Sequence, residues 1–115
     1  MNALKNILPL VVFFILCGCP LAGGADVRSH VDMGDAYYNE GRYDKAVKEY
    51  SEAISMDSSL AEAYYHRGLA YYRTEHYDEA IGDYTKAISL YPSPPDAQVY
   101  LSRGIAYLKK GLYDE

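Results

Sequence analysis

From residue 26 onward, apolar and polar positions follow a helical period. Tyr37, Tyr50, Tyr71 and Tyr84, with the small residues Ala46 and Ala80, recur at spacings that put them on one side of a helix. Arg42, Lys45, Lys48, Arg67, Arg73 and Lys86 alternate with acids, as on solvated helix faces. Turn signals divide the pattern. Gly41 and Gly111 sit where a first helix ends, and Asp44 and Asp78 sit where a carboxylate caps or favours the start of a second. The pattern predicts helices at about 28–40, 44–57, 62–74, 78–90 and 97–110.

The helices repeat. Aligning Gly34 with Gly68 superimposes Ala36 and Tyr37 on Ala70 and Tyr71, Tyr43 to Ala46 on Tyr77 to Ala80, and Tyr50, Ala53 and Ile54 on Tyr84, Ala87 and Ile88, all at an offset of 34. A third copy carries Gly104, Ala106, Tyr107 and Gly111 in register at an offset of 36, the extra residues falling at Ser93 to Asp96. A glycine inside a helix costs about 1 kcal/mol relative to alanine. Its recurrence at Gly34, Gly68 and Gly104 predicts close approach of another helix backbone, with Ala46 and Ala80 as the contacts. The tyrosines fill the hairpin interiors, provided each hydroxyl reaches water or an acceptor.

This pattern resembles the tetratricopeptide repeat family. The second copy matches as Tyr64-x-x-Arg67-Gly68-x-x-Tyr71, then Ala80-x-x-x-Tyr84, then Pro92. His30 stands at an aromatic place, Arg67 and Arg103 at an apolar one, and Glu75 replaces the loop glycine. The resemblance implies an all-α, right-handed α-solenoid of antiparallel hairpins, with repeats at 27–60 and 61–94 and a partial repeat or capping helix at 97–115. Each hairpin buries its apolar face by stacking on the next, so about three repeats are usual for stability. Leu101, Ile105 and Leu108 make the last helix apolar on a second side. It is expected to be covered by a partner or by chain beyond Glu115.

Residues 1–25 differ in composition from the rest. Lys5, an uncharged apolar run over 7–16 and then small residues form the three-part layout of an export signal. The run is about half the roughly 20 apolar residues that span a bilayer, and Pro9 interrupts it. Leu16-Cys17-Gly18-Cys19 resembles a bacterial lipobox, which implies a lipid on Cys19; Cys17 and Pro20 depart from its usual residues. Cleavage after Ala25 is the second reading, and an uncleaved anchor the third. The first two place the domain outside the cytoplasm, lipid-anchored at a bacterial envelope or free in the periplasm or medium.

Composition narrows the function. The net charge of −5 and the dispersed basic residues exclude a nucleic-acid surface. Both cysteines lie in the first quarter, so the repeats hold neither a disulfide nor a cysteine metal site. His30, His66 and His76 lack metal-ligand spacing and read as surface or packing residues. Catalytic motifs are absent from the sequence, and neither an enzyme nor a cofactor is expected.

The resemblance also implies a concave groove lined by the first helices: Val31, Asp35, Tyr38 and Asn39, then Tyr65, Leu69, Tyr72 and Arg73, then Leu101, Ile105, Leu108 and Lys109. Seven of these twelve are large and apolar or aromatic, which suits an apolar or amphipathic segment of a protein partner. Family members that bind chaperone tails hold a terminal carboxylate with a cationic clamp. The equivalent places here are Val31, Asp35, His66, Gln98 and Ser102, which supply no fixed cation. The expectation is a non-catalytic envelope adaptor. The alternative is a repeat-bearing part of a larger envelope enzyme, transporter or secretion component.

Overall fold

The structure, a computed structural model, describes residues 26–93 and 96–114. Export signal, lipobox and Cys19 lie outside the described residues. Within them the chain forms five helices and no strand: α1 (Val27–Asn39), α2 (Tyr43–Met56), α3 (Ala61–Arg73), α4 (Tyr77–Leu90) and α5 (Ala97–Asp114). The closest packing joins α1 to α2 and α3 to α4, each pair an antiparallel hairpin, with α4 against α5 and α2 against α3 carrying the stack onward. One layer holds α1, α3 and α5, and α2 and α4 form the other. This is a tetratricopeptide-like helical solenoid.

Each hairpin turn closes by a defined backbone motif. At the end of α1, the Gly41 N–H donates to Tyr38 O (2.9 Å) and the Arg42 N–H to Tyr37 O (2.8 Å). Such paired bonds place the residue after the helix in the left-handed region, and Gly41 has φ +77. At the end of α3 the same pair forms from Glu75 to Tyr72 O and from His76 to Tyr71 O, with Glu75 at φ 64. Glu75 thus holds a strained glycine conformation. Gly111 does not end its helix. Positioned like Gly41 in the third copy, it lies within α5, which runs on to Asp114; no second helix packs back among the described residues to stabilise a turn there. The N-cap residues Arg42 and His76 make no side-chain capping bond; Asp44 and Asp78 lie in the first turns of α2 and α4, where a carboxylate suits the helix dipole, and Asp78 also pairs with Lys110 of α5 at 2.6 Å.

Two core clusters fill the solenoid. Val31, Ala46, Tyr50, Ala53, Ala63 and Ala70 form one, and Tyr64, Ala80, Tyr84, Ala87, Val99 and Ala106 the other, with Ile54 packed against both. Most members are alanines, and Tyr50 and Tyr84, each 1% exposed, are the bulk. The repeated glycines make room for these rings. A Cβ on Gly34 would lie 2.4 Å from the Tyr50 ring, and one on Gly68 would lie 2.7 Å from the Tyr84 ring and 3.3 Å from the Ala80 carbonyl oxygen. The close neighbour is therefore chiefly an aromatic side chain, where a helix backbone was expected. Gly104 has nothing within 4 Å, because no helix follows α5 among the described residues to offer a ring.

The departures from the family pattern find partners on the second helix of each hairpin. His30 meets Glu49 at 2.7 Å, and Arg67 donates two hydrogen bonds of 2.8 Å to Asp83. Glu49 and Asp83 occupy equivalent places, one residue before Tyr50 and Tyr84. Arg67 also donates to Ser51 Oγ (3.1 Å) and lies over the Tyr64 and Tyr71 rings. The hydrogen-bonded Asp83 carboxylate raises the guanidinium's pKa above its ordinary value, against burial, which lowers it.

Two expectations follow for stability. Gly34→Ala forces a methyl into the Tyr50 ring and should cost about 1–3 kcal/mol, whereas Gly104→Ala adds a methyl in open space and should raise stability by up to about 1 kcal/mol; urea denaturation distinguishes the signs. Arg67→Met strands a carboxylate that is nearly buried, and a loss of about 3 kcal/mol is expected. Adding Asp83→Leu should recover most of it in the same assay.

Candidate functional site

The first-helix layer is indented by two adjoining depressions that share Leu69. One, of about 260 Å³, is lined by Asp35, Tyr38, Asn39, Tyr50, His66 and Leu69. The other, of about 120 Å³, is lined by Leu69, Tyr72, Tyr84, Ser102 and Ile105 and is largely apolar. Together they make a groove running across α1, α3 and α5.

Tyr50 and Tyr84 reach this groove from the second helices, their rings passing over Gly34 and Gly68. The Tyr50 hydroxyl donates to Asp35 Oδ1 at 2.6 Å, which satisfies the hydroxyl and fixes the carboxylate. His66 packs edge-on against the Tyr50 ring, 5.7 Å between centroids. Its Nδ1 lies 2.9 Å from the same Asp35 oxygen, yet it is buried without a well-aligned hydrogen bond. At the next step Tyr65 packs on Tyr84, at 5.8 Å, and its hydroxyl lies 3.5 Å from Ser102 Oγ.

The groove walls are braced by ring pairs. Tyr38 meets Tyr43 edge-on at 5.2 Å, and Tyr72 meets Tyr77 at 5.5 Å, a geometry favoured by the aromatic quadrupole. Arg73 lies over the Tyr38 and Tyr43 rings and donates from Nε to the Tyr38 hydroxyl at 3.2 Å. That contact ties α3 to α1 at the rim.

Of the residues predicted to line the groove, Asp35, Tyr38, Asn39, Leu69, Tyr72 and Ile105 come together in the two depressions. Tyr65 is half-buried beneath them, and Arg73 is exposed at the edge. Val31 is not accessible. It is 0% exposed, enclosed in the first core cluster, because α2 and α3 close over that side of α1. Leu101 and Leu108 are exposed on α5 but outside the lining of either depression, as is Lys109. Tyr50 and Tyr84 fill the hairpin interiors as the spacing predicts, each 1% exposed, and in addition underlie the groove floor, which periodicity does not reveal. Of the clamp-equivalent places, His66 and Asp35 line the first depression and Ser102 the second.

Among the described residues no group of histidines, cysteines and acids is placed to hold a metal ion. No described helix is long and apolar enough to cross a membrane.

Stacked helical hairpins with a groove across their first helices define a helical repeat scaffold. A TPR repeat model matches residues 34–75, and a tetratricopeptide repeat model matches residues 61–94. The second TPR of Spaghetti (RPAP3) bound to the HSP90 peptide SRMEEVD is 30% identical, with a TM-score of 0.70 over 77% of this chain and 81% of that one. The second TPR domain of human RPAP3 in complex with the HSP70 peptide SGPTIEEVD is 31% identical, with a TM-score of 0.69 over 76% and 72%. MamA is 32% identical at a TM-score of 0.71, and the chain spans about half of it, 48%. No curated protein sequence matches the chain. The chain belongs to the tetratricopeptide repeat family.

Burial, chiefly, and for Tyr50 the bond to Asp35, raise the pKa values of the Tyr50 and Tyr84 hydroxyls above the ordinary value. In the unfolded chain these tyrosines ionise near pH 10. Their contribution to stability is therefore complete below about pH 10 and declines as pH rises toward the raised native values. Thermal melts followed by circular dichroism should show a falling Tm above about pH 10. In Tyr50→Phe that fall should be shallower, while stability at neutral pH drops by about 1 kcal/mol through the lost hydrogen bond.

Proposed function

We propose that the protein is a non-catalytic adaptor that holds an apolar or amphipathic segment of another protein in the groove across α1, α3 and α5. The observation that carries this reading is the pair of depressions joined at Leu69, with aromatic walls and few charges. Rigid aromatic side chains in a concave site supply contact area at a small cost in conformational entropy.

The likeness to the RPAP3 domains supports peptide binding as a mode, while the residues argue for a different peptide. Those two relatives are described with peptides ending in Glu-Glu-Val-Asp. Here the clamp-equivalent places hold Val31, which is buried, and Asp35, an acid whose carboxylate already accepts from Tyr50. Ser102 is buried as well. An acidic tail approaching Asp35 meets like charge, which disfavours it. The adaptor reading includes placement at the cell envelope through the export signal, with a lipid on Cys19; a repeat-bearing part of a larger envelope protein is the second form of the same binding role.

Fluorescence anisotropy with labelled peptides tests the reading. The peptide SRMEEVD should show no saturable binding, and the tightest ligands in a panel of amphipathic helical peptides should bind with micromolar affinity. Leu69→Asp should weaken those at least tenfold, about 1.4 kcal/mol, with helicity retained. Saturable binding of SRMEEVD, or indifference of every ligand to Leu69→Asp, would overturn the assignment.

A further inference from the structure

Two carboxylates that the fold encloses are matched by a donor on a neighbouring helix, and a third is not. Glu49 meets His30 at 2.7 Å, and Asp83 takes two hydrogen bonds of 2.8 Å from Arg67. Asp35 lies in the larger depression with its side chain 38% exposed, and among the described residues neither a lysine nor an arginine pairs with it. Its two contacts both fall on Oδ1, from the neutral Tyr50 hydroxyl and from His66 Nδ1, which makes no aligned hydrogen bond. Oδ2 therefore has accepting capacity that the protein does not use.

The rest of that lining suits a cation. Tyr38 and Tyr50 supply aromatic rings, and the Tyr38 hydroxyl and the Asn39 amide oxygen are further acceptors for a group that can only donate. Arg73, outside the lining, already lies over the Tyr38 ring at 5.9 Å; it is exposed, so water and salt screen its repulsion of a second cation. The chain as a whole carries a net charge of −5, which draws a basic ligand at long range.

Across Leu69 the character changes. Leu69, Tyr72, Tyr84, Ser102 and Ile105 give the second depression a mostly apolar lining. One depression lies between α1 and α3 and the other between α3 and α5, so their centres are about one helix-packing distance apart, on the order of 10 Å. On a helical ligand rising ~1.5 Å per residue, that distance is roughly seven residues, two turns along one face.

We infer that the segment held in the groove is a basic amphipathic helix, with a lysine or arginine paired to Asp35 in the first depression and, about two turns away, an aliphatic side chain in the second. This rests on the groove reading above and adds to it the sign of the ligand's charge and where along the groove that charge sits.

Fluorescence anisotropy on the full chain tests it, at pH 8, above the range in which an imidazole is ordinarily charged. The probes are labelled amphipathic helical peptides with one lysine and one leucine two turns apart on the same face, in either order, and the same peptides with that lysine acetylated, which removes the charge and keeps the chain. The tighter lysine peptide should bind about tenfold better than its acetylated form. Asp35→Asn, which keeps an oxygen for the Tyr50 hydroxyl, should bring the two within about twofold while leaving the acetylated peptide's affinity unchanged. Leu69→Asn, which adds no charge, should weaken both. Equal binding of the two forms by the wild-type protein, or a lysine preference that survives Asp35→Asn, would overturn this inference and leave the groove reading standing, provided Leu69→Asn still weakens both. Indifference to Leu69→Asn, or no saturable binding of any peptide, would overturn both.

Discussion

The solenoid depends on a phenol ring lying flat over a helix that has no side chain to meet it. Tyr50 over Gly34 and Tyr84 over Gly68 are the two places where an aromatic ring is fully enclosed, and most of the core around them is alanine. Alanine gives close helix approach but little buried area, so in each hairpin the one fully enclosed ring is the largest single contributor, with partly buried apolar residues packed around it. The ring also sets the distance between the two layers. Because it reaches through the hairpin, its edge becomes part of the groove floor, and the element that closes the fold also shapes the binding surface.

A second regularity lies one residue earlier on the same helices. Glu49 and Asp83 each accept from a cationic or ionisable group on the first helix, His30 in one hairpin and Arg67 in the other. The two hairpins use different donors at different places, residues that look like departures from the family pattern when read one at a time. Considered with the acid they serve, they are two solutions to one constraint, that a carboxylate at the edge of an alanine core needs a donor. Arg67 does more than its counterpart, since its bond to Ser51 also ties the second hairpin to the first.

Much of this was legible in the sequence, and the reasons differ by feature. Helix positions followed from periodicity and repeat register; starts and ends fall within one residue of expectation except at the end of α5. There Gly111 carries the local signal for a stop, but a helix ends in a tight turn only when something beyond it packs back, and that is tertiary information. The groove was legible through the resemblance to the repeat family, whose groove positions include Asp35, Tyr38, Asn39, Leu69, Tyr72 and Ile105, the residues that line the two depressions. The resemblance failed for Val31, whose side of α1 is closed over by neighbouring helices. It missed Tyr50 and Tyr84 as floor residues because a pattern assigns a position to one side, while a long ring belongs to two.

Ile54 packs against both core clusters, and Leu69 belongs to both depressions above them. The first cluster also takes in Ala63 and Ala70 of α3, so the joint between the hairpins is packed in the core and spanned again at the surface. A segment lying along the whole groove would splint that joint, resisting the relative tilt of the hairpins. Occupancy would then be felt as stiffness, so that a tilt imposed on one hairpin would reach the next with less give when the groove is filled.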